Sequence, residues 1–316
     1  MLDAADVKSS PNILVKALVC SGGAAVSRSI VAPLSVLKIH CQVGVPGGKL
    51  GWYYNWKNIQ QESRLRGFYR GNATACLRLV PYTAIQFTVF DSIVKRIIAR
   101  EKNYRIPEYW TFGVVYAAGA VAGTLATAVT HPLDVVKTRL TVNSGDIRRA
   151  YYKDAVDALV KITTQEGITK GLYRGFMPSV IGSATYSAIL FLMLDITCNI
   201  PYRKRGAPQF VWFESLLFHA VAVSAAVITA LPMDVLRKKM MASSEFVPKN
   251  GGVDVKFTNL ANLVVQVYKR NGIPGFYHGA TTALAKVGPQ VVVFGLLWNA
   301  LHRKTDDHVP PIVAYI

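Results

Sequence analysis

Three short stretches of this 316-residue chain set a helix-breaking proline beside charged residues at one repeated spacing. HPLDVVKTRL (131–140) carries Pro132, Asp134 and Lys137, and LPMDVLRKKM (231–240) carries Pro232, Asp234 and Arg237. APLSVLKIHC (32–41) keeps Pro33 and Lys38 but has Ser35 where the other two have an acid. The copies recur about every 100 residues. Proline lacks an N–H and clashes with the preceding turn, so each kinks or ends its helix. Charges placed just after three equivalent kinks converge at one side of a bundle. Asp134 is then expected to pair with Arg237, and Asp234 with Lys38, while Lys137 faces Ser35. The desolvation cost of such pairs roughly cancels their attraction, which suits a gate that must open. A plain helix-terminal acid–base pair would explain one copy; three copies at one period favour the gate.

A second set of residues follows the same period. Tyr69-Arg70-Gly71, Tyr173-Arg174-Gly175 and Tyr277-His278-Gly279 each precede an apolar segment, and seven residues beyond each glycine stand Arg78, Gly182 and Lys286. At about 1.5 Å rise per residue these three lie roughly 10 Å up their helices, at one level. Two cations at mid-membrane are costly unless they face water and meet a negative ligand. Arg28, five residues before Pro33, adds a third positive charge if it points inward. An interior salt bridge is the bland alternative for Arg78, yet no acid lies within one helical turn of Arg78 or Lys286. An anionic ligand follows, with Arg suited to bidentate phosphate contact and Lys to a point charge.

These residues need helices to position them. Six apolar stretches are long enough to span a bilayer: roughly 12–33, 72–99, 110–132, 176–200, 209–232 and 279–302. Arg28, Arg78, Lys286, His131 and His219 fall within them or at their edges, so a bundle around a cavity fits better than lipid-sealed rods. Within each repeat a polar segment with a short amphipathic pattern follows the proline: 55–65, 154–167 and 257–270. In the middle one Val156, Leu159, Val160 and Thr163 share a face, which suits a helix lying along a membrane surface. Basic linkers at 100–108 and 201–208 join the repeats.

Composition points the same way. Hydrophobic residues make up 51% and charged residues only 17%, with a formal net charge of +18. Apolar and strongly basic together suggest a membrane protein with basic loops, or one that handles an anion. The basic residues are scattered between apolar segments rather than gathered on one soluble face, which argues against nucleic acid. Cys20, Cys41, Cys76 and Cys198 have no CxxC spacing, so neither a disulfide framework nor a zinc site is expected. No two histidines share a helix face, and no nucleophile triad, P-loop or dinucleotide fingerprint is present, so neither metal, cofactor nor catalysis is expected. The N-terminus has neither secretory nor transit character, which leaves targeting to internal segments.

The motif P-x-[DE]-x-x-[KR], followed by an aromatic-basic-glycine turn and repeated three times across about residues 12–302, resembles the mitochondrial carrier family. The resemblance implies an all-α membrane fold of six transmembrane helices around a central cavity. The repeats would be 12–99, 108–200 and 209–302, with a C-terminal tail at 303–316. It implies a multi-pass monomer of the mitochondrial inner membrane that works by alternating access. Gly71, Gly175 and Gly279 resemble the family's cardiolipin sites, and a helix N-terminus favours a phosphate there. Arg78, the Gly182–Ser183 pair and Lys286 resemble its substrate contact points, in the pattern of the coenzyme A and adenine-nucleotide branch. QVGV (42–45), GNATACLRLVP (71–81) and GGVDVKF (251–257) resemble an orphan carrier related to the coenzyme A group. Gln42 matches the family's glutamine brace, while Thr141 and Met241 occupy the other two brace positions.

Several positions depart from the family pattern. Ser35 removes an acid from the matrix gate. The aromatic-acid-x-x-base pattern of the opposite gate is poor, with Val94, Cys198 and His302 where bases are usual. Ser183 stands where nucleotide carriers usually have an aliphatic residue, and Thr185 where helix four usually has proline. The expected function is exchange of a phosphorylated anion such as a nucleotide or coenzyme A. A smaller organic anion, or a carrier-fold adaptor without transport, are the alternatives.

Overall fold

Each proline motif sits at a helix start or inside a long helix in the computed structural model, which describes residues 22, 24–44, 51–101, 108–142, 151–194, 211–247, 253 and 257–302. The order is α1 (Ala32–Val43), α2 (Trp52–Gly67), α3 (Asn72–Glu101), α4 (Glu108–Val142), α5 (Ala155–Gln165), α6 (Phe176–Leu194), α7 (Val211–Ala242), α8 (Leu260–Asn271) and α9 (Ala280–His302). A π-helical turn at Ile168–Leu172 and a 3-10 turn at Ile273–Tyr277 lead into α6 and α9. The described residues contain no strand, so the fold is all-α. Residues 24–30 are also helical and stop at Val31; Pro33 then occupies the first turn of α1, where its missing N–H costs nothing. Pro132 and Pro232 instead lie inside α4 and α7, of 35 and 32 residues.

The long helices are patterned for lipid rather than water. Helix α4 exposes Val121, Leu125 and Val129 four residues apart while burying Ala122 and Ala126. Helix α7 exposes Leu217, Val221 and Ile228 and buries Ala222, Ala226 and Ala230. Small residues between helices let backbones approach closely, and large apolar ones outside meet acyl chains. Among the described residues, Leu217–Ala242 is the one helix that by length and composition alone is apolar enough to cross a membrane. Of the other spans read from sequence, those in α3 and α9 carry Arg78 and Lys286, and 12–21 and 195–200 lie outside the described residues.

Helix α3 packs along α4, α6 along α7, and α9 returns to α1, so the bundle closes on itself. The core is concentrated where α1, α4 and α7 converge past their prolines. There Ile39, Val43, Val142 and Leu236 pack with Leu263 and Val267 of α8. Val135, Val136 and Leu140 pack with Ala158 and Ile162 of α5. Val36, Leu37 and Cys41 pack with Ile59 of α2. The three short helices expected from the amphipathic segments therefore each cap one long helix. In α5 the buried face is Ala158 and Ile162, whereas Val156, Leu159 and Val160 are exposed.

Three turn glycines repeat one packing solution. Gly71, Gly175 and Gly279 have φ of 75°, 80° and 80°, a region that L side chains avoid. A Cβ on Gly71 would stand 3.1 Å from the Lys137 carbonyl oxygen; on Gly175, 3.2 Å from that of Arg237; on Gly279, 3.4 Å from that of Lys38. Each repeat's turn thus rests against the proline helix of the next, and the third rests against the first. Gly71→Ala or Gly175→Ala is expected to lower stability by about 1–2 kcal/mol, the cost of a left-handed non-glycine residue. Gly123→Ala, inside α4 with nothing within 4 Å of the added atom, should leave it unchanged or raise it, as thermal unfolding in detergent will show.

Candidate functional site

The charges placed by the three prolines do converge, but with different partners from those the spacing suggests. Asp234 of α7 takes Lys38 of α1 at 2.6 Å and Arg237 of its own helix at 2.6 Å. Gln42 donates its side-chain N–H to the same carboxylate at 2.8 Å. The expected Lys38–Asp234 pair is therefore present, and Gln42 braces it. The expected Asp134–Arg237 pair is not: Asp134 bonds Arg78 instead. Two facts explain the exchange. Arg237 is held by Asp234 one turn back on its own helix. Arg78 stands on α3, which packs along α4, so it reaches Asp134 from the side. The acid for Arg78 comes from another repeat, which a search for acids within its own helical turn cannot find. Tyr82 lies under the Arg78 guanidinium, 5.2 Å from carbon to ring centre.

A second layer of bases tightens the same end. His40, Arg139 and Lys239 each stand seven residues after a proline. His40 donates to the Thr141 carbonyl at 3.0 Å, Arg139 to the Met241 carbonyl at 3.0 Å, and Lys239 to the Val43 carbonyl at 2.9 Å. Helix α1 is thereby tied to α4, α4 to α7, and α7 to α1. Arg139 also bonds both oxygens of Glu166 at 2.5 and 2.7 Å, fixing α5 beneath α4. Burial pushes the Tyr152 phenol up, which keeps it a neutral acceptor for Arg139. These residues went unread in the sequence, although the base two positions beyond Lys38, Lys137 and Arg237 and the Glu166-Gly167 step were visible signals.

Above this layer lies a cavity of about 200 Å³. Arg28, Lys38, Arg70, Arg78, Lys137, Arg237, Lys238 and Lys286 line it, against Asp134 as the one lining carboxylate among the described residues. Ser35, Gln42 and Thr141 contribute polar edges. Two of the three residues expected at the contact level, Arg78 and Lys286, therefore share one chamber with Arg28. Gly182 and Ser183 do not line it. Gly182 packs against α7, where an added Cβ would stand 3.2 Å from the Met233 Cβ, and Ser183 donates to its own helix at Val180. Lys238 was not singled out, because the equivalent positions are Ile39 and Thr138 and no repeat marks it. It donates to the Thr138 hydroxyl at 3.0 Å. Arg28, Lys137 and Lys286 touch no carboxylate among the described residues. Of the weak opposite gate, Asp195, Cys198 and the side chains of Asp91, Val94, Asn299 and His302 lie outside what is described.

Removing one partner of a buried pair leaves a stranded charge, which costs about 3–5 kcal/mol; removing both is often neutral. Asp134→Ala, which leaves Arg78 among cations alone, should therefore destabilise strongly, and adding Arg78→Ala should recover part of the loss. Thermal unfolding of the purified single and double variants checks this, and equal losses in both would place Asp134 outside the pair.

Known proteins resemble this chain over most of its length. The family model described as mitochondrial carrier protein matches residues 9–101, 110–204 and 209–307. The chain is 32% identical over 287 residues to solute carrier family 25 member 43 of Danio rerio, covering 90% of this chain and 79% of that protein. It is 31% identical to the adenine nucleotide transporter BT1 of Arabidopsis thaliana, over 88% of this chain and 67% of that one. It is 28% identical to the mitochondrial coenzyme A transporter SLC25A42 of Mus musculus, over 88% and 85%.

Proposed function

The chain belongs to the mitochondrial carrier protein family, and from that premise we propose that it exchanges a phosphorylated organic anion, a nucleotide or coenzyme A, across the mitochondrial inner membrane by alternating access. The observation that carries this reading is the cavity, with eight basic side chains to one carboxylate among its lining. Like charges gathered in a low-dielectric chamber are unfavourable without an anion to neutralise them. A phosphorylated ligand offers several charges and a planar array of acceptors for Arg78, with Lys286 and Arg28 as further contacts. The adenine nucleotide and coenzyme A transporters among the relatives agree with that chemistry.

The ion pairs at the proline end supply the matrix gate in this reading. Asp234 with Lys38, Arg237 and Gln42 is its strong point, and Ser35 opposite Lys137 its weak one. The helix starts after Gly71, Gly175 and Gly279 are the proposed cardiolipin sites, where N–H groups of α3, α6 and α9 meet lipid phosphate. The closed ring of helix contacts within one chain supports a carrier that works as a monomer.

The test is uptake by purified protein in cardiolipin-containing liposomes loaded with ADP or coenzyme A. Saturable uptake that needs an internal anion is expected. Lys286→Gln should reduce it by at least about tenfold, the worth of one charge-assisted contact. Uptake of no anion, or uptake indifferent to Lys286→Gln, overturns the reading.

A further inference from the structure

One cation of the cavity faces a gap in the threefold pattern. Lys38 and Arg237, the equivalents of Lys137 in the other repeats, both meet Asp234. The residue that would answer Lys137 is Ser35, and the two line the same chamber. Asp134, one turn before Lys137 on α4, is already bonded to Arg78. Beyond Asp134, the charges that weigh most on Lys137 are Arg28, Lys238 and Lys286, all positive.

We propose that Ser35, Lys137 and Lys238 form a phosphate subsite at the closed end of the cavity, so that the ligand itself supplies the negative charge the first repeat lacks. This rests on the transport reading above and extends it to a ligand with more than one phosphate. Two ammonium groups and a hydroxyl donate to a phosphate dianion, which has three free acceptor oxygens; a carboxylate offers two oxygens and one charge. The three-residue step from Asp134 to Lys137 is about 4.5 Å along the helix. A ligand with two linked phosphates can therefore meet Arg78 beside Asp134 with one and Lys137 with the other. The ligand would then tie α4 to α1 at the position where an internal ion pair is missing.

The experiment compares ligands that differ by the second linked phosphate: AMP with ADP, and GMP with GDP. Thermal shifts are read on the wild type, Lys137→Gln, Ser35→Asp and Lys286→Gln. In the wild type the fuller member of a series should give the larger shift. Lys137→Gln and Ser35→Asp should keep the shift given by the smaller member and lose the increment. Ser35→Asp should also raise the ligand-free melting temperature, since an internal carboxylate now fills the gap. If the increment survives in both variants while Lys286→Gln abolishes all binding, the subsite is wrong and the transport reading stands. If no member of either series shifts the wild type, the transport reading fails and this inference fails with it.

Discussion

The closed end of this molecule depends on one buried carboxylate. Asp234 is reached by Lys38 from α1, by Arg237 from its own helix and by the side-chain amide of Gln42. A carboxylate withdrawn from water needs its lone pairs answered, and here three donors answer them. Because two of those donors belong to the first repeat and the acid to the third, satisfying Asp234 joins the two ends of the chain. The ring of backbone contacts from His40, Arg139 and Lys239 repeats that closure one layer further on. The glycine turns repeat it a third time by steric fit. Ionic, hydrogen-bonded and steric contacts thus run in the same cyclic order, each from one repeat to the next.

The remainder of the bundle follows from its solvent. Large side chains at Val121, Leu125, Leu217 and Val221 point outward, and alanines at 122, 126, 222 and 226 point to neighbouring helices. Without a hydrophobic drive between helices in lipid, close backbone approach has to hold them, and small residues allow it. The water-excluded core clusters instead at the proline end, where α2, α5 and α8 cap the long helices. Stability is therefore unevenly placed: well packed at the converging end and more open around the charged chamber.

Much of this was legible in the residues because it was written three times. The all-α repeat, the helix start at Pro33, the capping helices and the Lys38–Asp234 pair follow from spacing and helix geometry. What spacing could not settle was competition among partners. Arg237 had two acids to choose from and took the one on its own helix, three residues back, where reach and rotamer cost are least. Arg78 then found Asp134 across the α3–α4 contact, a neighbour relation that no local window contains. Gly182 misled for a related reason: its level along α6 was readable, but the side of the helix it faces was not, and it faces Met233. Lys238 lacks any echo in the other repeats, so periodicity gave it no weight.

The Arg78–Asp134 pair bears on how a bound anion would act on the gate. A ligand phosphate at Arg78 competes with Asp134 for the same guanidinium, and a carboxylate released there lies one turn from Lys137 on the same helix. Ligand binding and the ion pairs of the converging end then share a residue, so neither can change without biasing the other. Such coupling is reciprocal: whatever free energy the ligand spends in loosening Asp134, the state with Asp134 already free gains in affinity for the ligand. If the chamber takes an anion, its excess of cations would supply the hold, and the Asp134 carboxylate would pass that hold to the helix ends. A fully paired gate would resist this, and a gate with no acids would have nothing to shift. The mixed case, with Asp234 saturated and Lys137 unanswered, leaves one side able to respond while the other keeps the repeats together.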